Sequence, residues 1–212
     1  MKISEVYKKF GIPPVLQNHM INVAEVCSYI LDHWGGVKIN RKKLIFLCLV
    51  HDLGNLVRID FNKQFGPREE WLDIKLWSQI KVNTINKYGN DDDTVTAKML
   101  EELGVAREIS EIIFKKRFVN SIKIANSDNW LLKLLLYSDL RVLPTGIGTL
   151  QQRLDEVLGR RKDLSKKDNI SLLCDACRKI ERDIQKYVNI SLESINDLKA
   201  NKKLFNTIVL IQ

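Results

Sequence analysis

The sequence contains few of the residues that metal sites most often use. Among 212 residues there are only three histidines and four cysteines. One pair, Cys174 and Cys177, has zinc-like spacing, but no second such pair exists, which excludes a four-cysteine zinc site. We therefore expect both thiols to be reduced and to pack as small apolar side chains.

Long apolar runs and alternating apolar residues are also absent. No run approaches the roughly 18 apolar residues that a membrane-spanning helix needs, and the first residues lack the apolar stretch of a secretion signal. No segment alternates apolar and polar residues between hairpin turns, so the sequence predicts no sheet. We expect a soluble, cytoplasmic protein without a membrane partner.

Acidic residues are outnumbered by basic ones. The chain has 34 lysines and arginines against 26 acidic residues, a formal net charge of +8. Such a charge attracts anions, including nucleotides, phosphoesters, RNA and acidic lipids, although lysine-rich helices are also common as plain solvated surfaces. No nucleic-acid-binding motif accompanies the charge, and the sequence does not indicate the oligomeric state.

Helical periodicity covers nearly the whole chain and predicts an all-α protein. Asn40 is a suitable N-cap for a helix over residues 41–53, which Gly54 would end. Asn126, Ser127 and Asp128 would cap a strongly apolar helix that Pro144 ends. The predicted helices cover residues 4–10, 14–34, 41–53, 68–88, a segment ending at 104, 105–116, 129–143, 150–161 and 169–187.

We expect these helices to form a single domain over residues 1–212. Its core motif region would span residues 13–145, and residues 146–212 would form a helical C-terminal extension without a catalytic cluster.

The apolar run of residues 47–50 ends in an adjacent imidazole and carboxylate, His51 and Asp52. An unpaired carboxylate buried at the end of an apolar helix would cost several kcal/mol, whereas the two side chains together are good ligands for a divalent metal. On a continuous helix Asp52 would be rotated by about 100° from His51. Both side chains would then reach one point only near the edge of the buried face.

Two other polar residues also fall on apolar helix faces. His19 shares a stripe with apolar residues of its helix, and Asp139 interrupts a run of leucines. Each alone is compatible with a hydrogen-bonded polar core residue. One divalent metal would account for all of them, with open positions for water and a substrate oxygen. The predicted ligands are His19, His51, Asp52 and Asp139.

With these residues in place, the sequence resembles the HD-domain superfamily of metal-dependent phosphohydrolases, whose pattern is H…HD…D on an all-α bundle. The matching segments are residues 16–24, 51–54 and 137–140, so the resemblance covers about two-thirds of the chain. It implies an HD-domain-like helical bundle, a divalent metal and hydrolysis of a phosphoester, commonly of a nucleotide.

The sequence differs from particular branches of the superfamily, and the differences bear on the expected number of metal ions. Many two-metal members carry extra histidines between the HD pair and the last aspartate, but this chain has none there. The resemblance therefore favours one metal, which the mixed nitrogen and oxygen ligands do not identify among Mn, Co, Ni, Fe, Zn and Mg. His33, the remaining histidine, is expected to be structural.

Bacterial deoxynucleoside monophosphatases of the superfamily follow the HD pair with a glutamate and then an aspartate that handle the attacking water. The corresponding residues here are Asn55, which cannot take a proton, and Asp60. The predicted catalytic residues are Asp52 and Asp60, with Asp60 as general base if its loop folds over the metal. The predicted substrate-binding residues are Asn55, Arg58, Lys116 and Arg117.

The predicted function is hydrolysis of a phosphoester of a nucleotide or a related small molecule by metal-activated water. One alternative is a phosphodiesterase that acts on a cyclic or linear nucleotide. Another is a noncatalytic module of this type that binds a nucleotide, RNA or a protein through its basic surface. Asn55 and the scarcity of histidine favour the noncatalytic reading.

Overall fold

Helices account for most of the chain in a computed structural model, which describes residues 1–61, 73–160 and 167–197 together with residue 204. The α-helices are α1 (Ile3–Lys9), α2 (Pro14–Asp32), α3 (Arg41–Val50), α4 (Ile74–Tyr88), α5 (Asp92–Glu102), α6 (Arg107–Lys115), α7 (Ser121–Ala125), α8 (Trp130–Leu140), α9 (Leu150–Arg160) and α10 (Lys167–Gln185). Short 3-10 helices cover Leu53–Arg58, Phe118–Asn120 and Leu192–Asp197. The predicted all-α fold class is confirmed.

The centre of the fold is formed by α2, α3 and α8, which all contact one another. Every residue of α3 from Leu44 to Val50 is buried, as is every residue of α8 from Leu132 to Ser138. Each fully buried leucine contributes roughly 1.5–3 kcal/mol. A helix with apolar residues on every face lies inside a bundle. A polar side chain near the end of such a helix therefore needs a hydrogen-bond or charge partner from another part of the chain.

Side-chain caps set the starts of several helices, among them α3, α5 and α8. Asn40, Asp91 and Asn129 cap α3, α5 and α8 by accepting a hydrogen bond from the backbone N–H three residues later. Each such cap stabilises a helix by about 1 kcal/mol. The predicted cap at Asn40 is confirmed, whereas α8 begins one residue later than predicted and is capped by Asn129 rather than by residues 126–128.

The helix predicted over residues 41–53 ends earlier, at Val50. Asp52 has left helical geometry, with φ −120° and ψ 20°. The cause is a long-range contact, because the backbone N–H of Gly54 donates to the hydroxyl of Thr96 on α5 at 2.9 Å and the following 3-10 helix packs against α5. The prediction that His51 and Asp52 share one continuous helix was wrong.

A small antiparallel sheet follows α8, where a helix to residue 143 and no sheet were predicted. The helix ends at Leu140, and β1 (Val142–Leu143) pairs with β2 (Gly146–Ile147). Arg141 explains the break: the residue is 1% exposed, and its guanidinium donates to the carbonyl of Leu192 at 2.8 Å and to that of Gly148. The helix therefore ends next to Arg141, whose buried side chain is hydrogen-bonded to the C-terminal segment.

The C-terminal helices pack on the rest of the chain. α10 contacts α7 and α8, Gly35 donates its backbone N–H to the carbonyl of Tyr187 at 2.7 Å, and Cys174 and Cys177 are buried without a disulfide. The division into a core motif region and an extension stays a prediction. The predicted helix start at residue 68 lies outside the described residues, and within these no helix is long and apolar enough to cross a membrane.

Gly54 occupies a position that leaves no room for a side chain. A Cβ atom there would clash with the carbonyl oxygen of Asp92 and lie 2.7 Å from the backbone nitrogen of Thr96. We expect Gly54→Ala to lower the free energy of unfolding by about 1–3 kcal/mol, measured by urea denaturation. Gly159→Ala on α9 is the matched control, because nothing lies within 4 Å of a Cβ there, and it should gain up to about 1 kcal/mol. Unchanged stability of Gly54→Ala would contradict the close packing of this turn on α5.

Candidate metal centre

Four potential metal ligands from α2, the end of α3 and α8 meet at one point. Each contributes one ligand atom, and these atoms all lie within 4.8 Å of one another. We call this group the ligand cluster; its members are His19, His51, Asp52 and Asp139. The sequence predicted these residues as a set, and the fold brings all of them together.

Distances within the ligand cluster match those between neighbouring ligands of a single metal ion. His19 Nε2 lies 3.2 Å from Asp139 Oδ1 and 3.5 Å from Asp52 Oδ2. His51 Nε2 lies 3.4 Å from Asp52 Oδ1 and 3.5 Å from Asp139 Oδ1. Adjacent ligands with metal bonds near 2.1 Å are about 3.0–3.4 Å apart. The spacing of the four side chains is therefore suited to a single ion.

The imidazole nitrogens that face the centre have no hydrogen-bond partner. Nε2 of His19 and Nε2 of His51 are both buried in this state. Nδ1 of His51 lies 2.8 Å from the carbonyl oxygen of Cys48, which can only accept, so Nδ1 carries a proton and Nε2 is the nitrogen that faces the centre. A buried polar atom without a partner costs about 1–3 kcal/mol, a cost that coordination would remove. The residues present fit a divalent metal.

Lys116 and Asn55 contact the two carboxylates of the ligand cluster. The ammonium of Lys116 lies 2.5 Å from Asp139 Oδ2 and 3.7 Å from Asp52 Oδ1. The side-chain amide of Asn55 donates to Asp52 Oδ2 at 2.5 Å. Oδ1 of Asp139 faces both imidazoles, whereas Asp52 faces His51 through Oδ1 and His19 through Oδ2. Second contacts of this kind fix the orientation of ligands and are part of most metal sites.

The charges of the centre stabilise one another despite burial. Burial would raise the pKa of Asp52 and of Asp139, but neighbouring His51 and Lys116 hold both pKa values below their usual range. Burial would lower the pKa of Lys116, whereas the carboxylates of Asp139 and Asp52 raise it. At neutral pH the two carboxylates are therefore ionised and face the ammonium of Lys116.

The two predicted substrate-binding arginines lie at the surface and are paired with aspartates. Nη1 of Arg58 lies 3.1 and 3.2 Å from the two carboxylate oxygens of Asp92. Nη1 of Arg117 lies 3.0 Å from Asp93 Oδ2. A phosphate would have to compete with these carboxylates for either arginine. Their roles stay predictions, as does that of Asp60, which is half-buried and does not belong to the ligand cluster.

Two features of the centre were not recognised in the sequence. One is the contact from Asn55 to Asp52, and the other is the carbonyl of Cys48 that orients His51. Both partners lie three residues away along the chain, so the spacing was present as a signal. Its meaning depends on how the end of α3 unwinds, and the helical pattern alone does not predict that.

Metal binding should displace a proton from His19. Burial alone would lower the pKa of this imidazole, but the neighbouring carboxylates of Asp139 and Asp52 raise it to about 9. The metal-free imidazole is thus protonated at pH 7, and a ligand must be neutral. We expect the apparent association constant for Mn²⁺ to rise about tenfold per pH unit up to about pH 9 and to level off above it.

Titration calorimetry at pH 7 in buffers of different ionisation enthalpy measures this proton release. We expect about one proton per metal ion bound. His33→Gln, which changes a histidine outside the cluster, should release the same number. Metal binding without proton release would contradict a protonated His19 in the metal-free centre.

The family model for the HD domain matches residues 16–145 of the chain. This segment is more than half of the sequence and contains the whole ligand cluster. Searches of the curated proteins and of the solved structures find no significant match. The family match and the geometry agree, and the chain belongs to the HD domain family.

Proposed function

We propose that this protein is a metal-dependent phosphohydrolase that cleaves a phosphoester of a nucleotide or of a related small molecule. The HD domain implies the superfamily of metal-dependent phosphohydrolases. The observation that carries the proposal is the ligand cluster with the buried ammonium of Lys116 beside it. This arrangement supplies a cation site and a positive charge for a phosphoryl group in one place.

The proposed cofactor is one divalent metal ion held by the ligand cluster. Such an ion would lower the pKa of a water molecule and polarise a phosphoryl oxygen. Among the described residues, the other group of potential ligands is the acidic run 91–93, whose members cap α5 or pair with arginines. This supports one metal rather than two, and Mn, Co, Ni, Fe, Zn and Mg are all compatible with the ligands.

Lys116 is the best candidate to bind a phosphoryl oxygen. It is 7% exposed, so its charge acts in a medium that screens it less than water does. Its ammonium already faces both carboxylates, and it has donors left for a substrate because an ammonium carries three. Arg58 and Arg117 lie farther out and would contact a substrate only by leaving their aspartates.

Asp60 and Asn55 have different roles in this proposal. Asp60 follows the 3-10 helix that begins just after the HD pair, and it would accept a proton from the attacking water. Asn55 holds Asp52 in position and offers an amide to the substrate. A nucleotide substrate and a cytoplasmic location are parts of the proposal that rest on the family and on the sequence.

Replacement of His51 tests whether the cluster holds a catalytic metal. We expect His51→Gln to lose bound metal and to reduce hydrolysis of chromogenic phosphoesters by at least about 100-fold, because a coordinating nitrogen is removed. His33→Gln is the matched control, since His33 instead contacts Asn189 at 3.0 Å. Metal content by mass spectrometry and initial rates are the measurements.

The same assay separates the alternatives. Turnover of monoesters supports the proposal as stated, whereas turnover restricted to diesters identifies a phosphodiesterase. Unchanged metal content and unchanged hydrolysis in His51→Gln would reject the catalytic metal. Nucleotide or RNA binding that weakens steeply with salt, without turnover of any ester by the metal-loaded protein, would identify a noncatalytic module.

Replacement of Lys116 separates phosphate binding from metal binding. We expect Lys116→Gln to keep the metal but to lower kcat/KM by about 100-fold, as loss of one preorganised donor typically does. Lys115→Gln removes the neighbouring, exposed charge and should change kcat/KM by less than about twofold. Equal activity of the two variants would show that Lys116 has no part in the reaction.

A further inference from the structure

A second cleft lies at the opposite end of α8 from the ligand cluster. It has a volume of about 300 Å³ and lies between the turn that joins α7 to α8 and the C-terminal part of α10. Its lining includes three lysines and two aromatic residues. Lys133 on α8 lines it, and Asp139 of the ligand cluster lies about 9 Å farther along the helix axis.

Three ammonium groups in this cleft share one carboxylate. Lys133 and Lys179 both lie 3.2 Å from Asp183 Oδ2, and Lys186 lies 3.1 Å from Asp183 Oδ1. We call this group the lysine pocket: Lys133, Lys179 and Lys186 around Asp183. Even with the exposed Asp128 at its rim, the lining carries more positive than negative charge.

Lys133 is the buried lysine of this group, and its ammonium lies 4.7 Å from the centroid of the Trp130 ring. Its side chain is only 5% exposed, and its sole carboxylate partner among the described contacts, Asp183, is shared with two other lysines. Buried cations are normally paired, because removing a charge from water without full compensation costs several kcal/mol. Asp183 stays ionised: burial would raise its pKa, but the hydrogen bonds from the lysines lower it to about 2. The lining therefore has a net positive charge that an anion could neutralise.

The residues around the lysine pocket favour a phosphate that is attached to an aromatic ring. Trp130, the first residue of α8, lines the cleft, so the positive end of the helix dipole lies close by. Tyr187 packs edge-on against Trp130 with ring centroids 4.8 Å apart, yet it remains 41% exposed. An exposed aromatic side chain beside a cationic cleft is suited to stack on a base.

We propose that the lysine pocket is a second binding site, separate from the metal centre, that takes a nucleoside phosphate. The phosphate contacts the ammonium groups of Lys179 and Lys186, and the base stacks on the exposed ring of Tyr187. Lys133, which is buried, adds positive charge beneath this site without contacting the phosphate. This site requires neither a metal nor hydrolysis, so it stands whether or not the proposed function is correct.

Binding of adenosine monophosphate to the full chain in the presence of EDTA tests the site. We expect Lys179→Gln and Lys186→Gln each to weaken the affinity by about tenfold in calorimetry, the usual effect of one lost charge-assisted hydrogen bond. Lys42→Gln on α3, which removes an exposed charge outside the pocket lining, should stay within about twofold. Binding that is insensitive to both pocket lysines would place the ligand elsewhere and overturn the proposal, as would no binding at millimolar concentration.

Asp183→Asn tests the same site through a substitution that should strengthen binding rather than weaken it. Because the lysines would lose their internal counter-charge, we expect adenosine monophosphate to bind about tenfold more tightly. Weaker or unchanged binding, in a variant that retains its helical circular dichroism, would show that the lysines only neutralise Asp183. Inorganic phosphate should bind more weakly than the nucleotide; equal affinity would overturn the role of Tyr187 and with it the nucleoside part of the proposal.

Discussion

Two carboxylates at the ends of apolar helices constrain the whole centre of this protein. Asp52 and Asp139 are held where water cannot solvate them fully, so each needs positive or donating partners from other elements. Lys116 contacts Oδ2 of Asp139, Asn55 donates to Oδ2 of Asp52, and both imidazoles lie within 3.5 Å of both carboxylates. The four potential ligand atoms are thereby brought close enough together to hold one cation.

The ends of α3 and α8 determine where these two carboxylates lie. α8 is buried almost along its length, and it stops at Leu140, immediately after Asp139, because Arg141 is anchored to the C-terminal segment. α3 stops before Asp52 because Gly54 packs against α5. A long-range contact therefore ends each of the two helices close to its carboxylate ligand. At these helix ends the backbone can orient Asp52 and Asp139 towards the metal centre.

The parts of the centre that follow from local pattern were predictable from the sequence. His19 and Asp139 stand out as polar residues on apolar helix faces, and the cap at Asn40 depends on a hydrogen bond only three residues away. The unwinding at Asp52 and the hairpin after Leu140 were not predictable, because each depends on a residue more than forty positions away, Thr96 and Leu192. Periodicity reports which face of a helix is buried, but it does not report where a distant contact interrupts the helix.

The electrostatics of the centre also restrict which group can accept a proton. An efficient general base has a pKa near the working pH, whereas His51 and Lys116 hold the pKa values of Asp52 and Asp139 below their usual range. A bound cation would lower them further. The amide of Asn55 cannot take up a proton, and it donates to Asp52. The lowered pKa values thus make Asp52 and Asp139 poor general bases, and the proposed function assigns that role to Asp60.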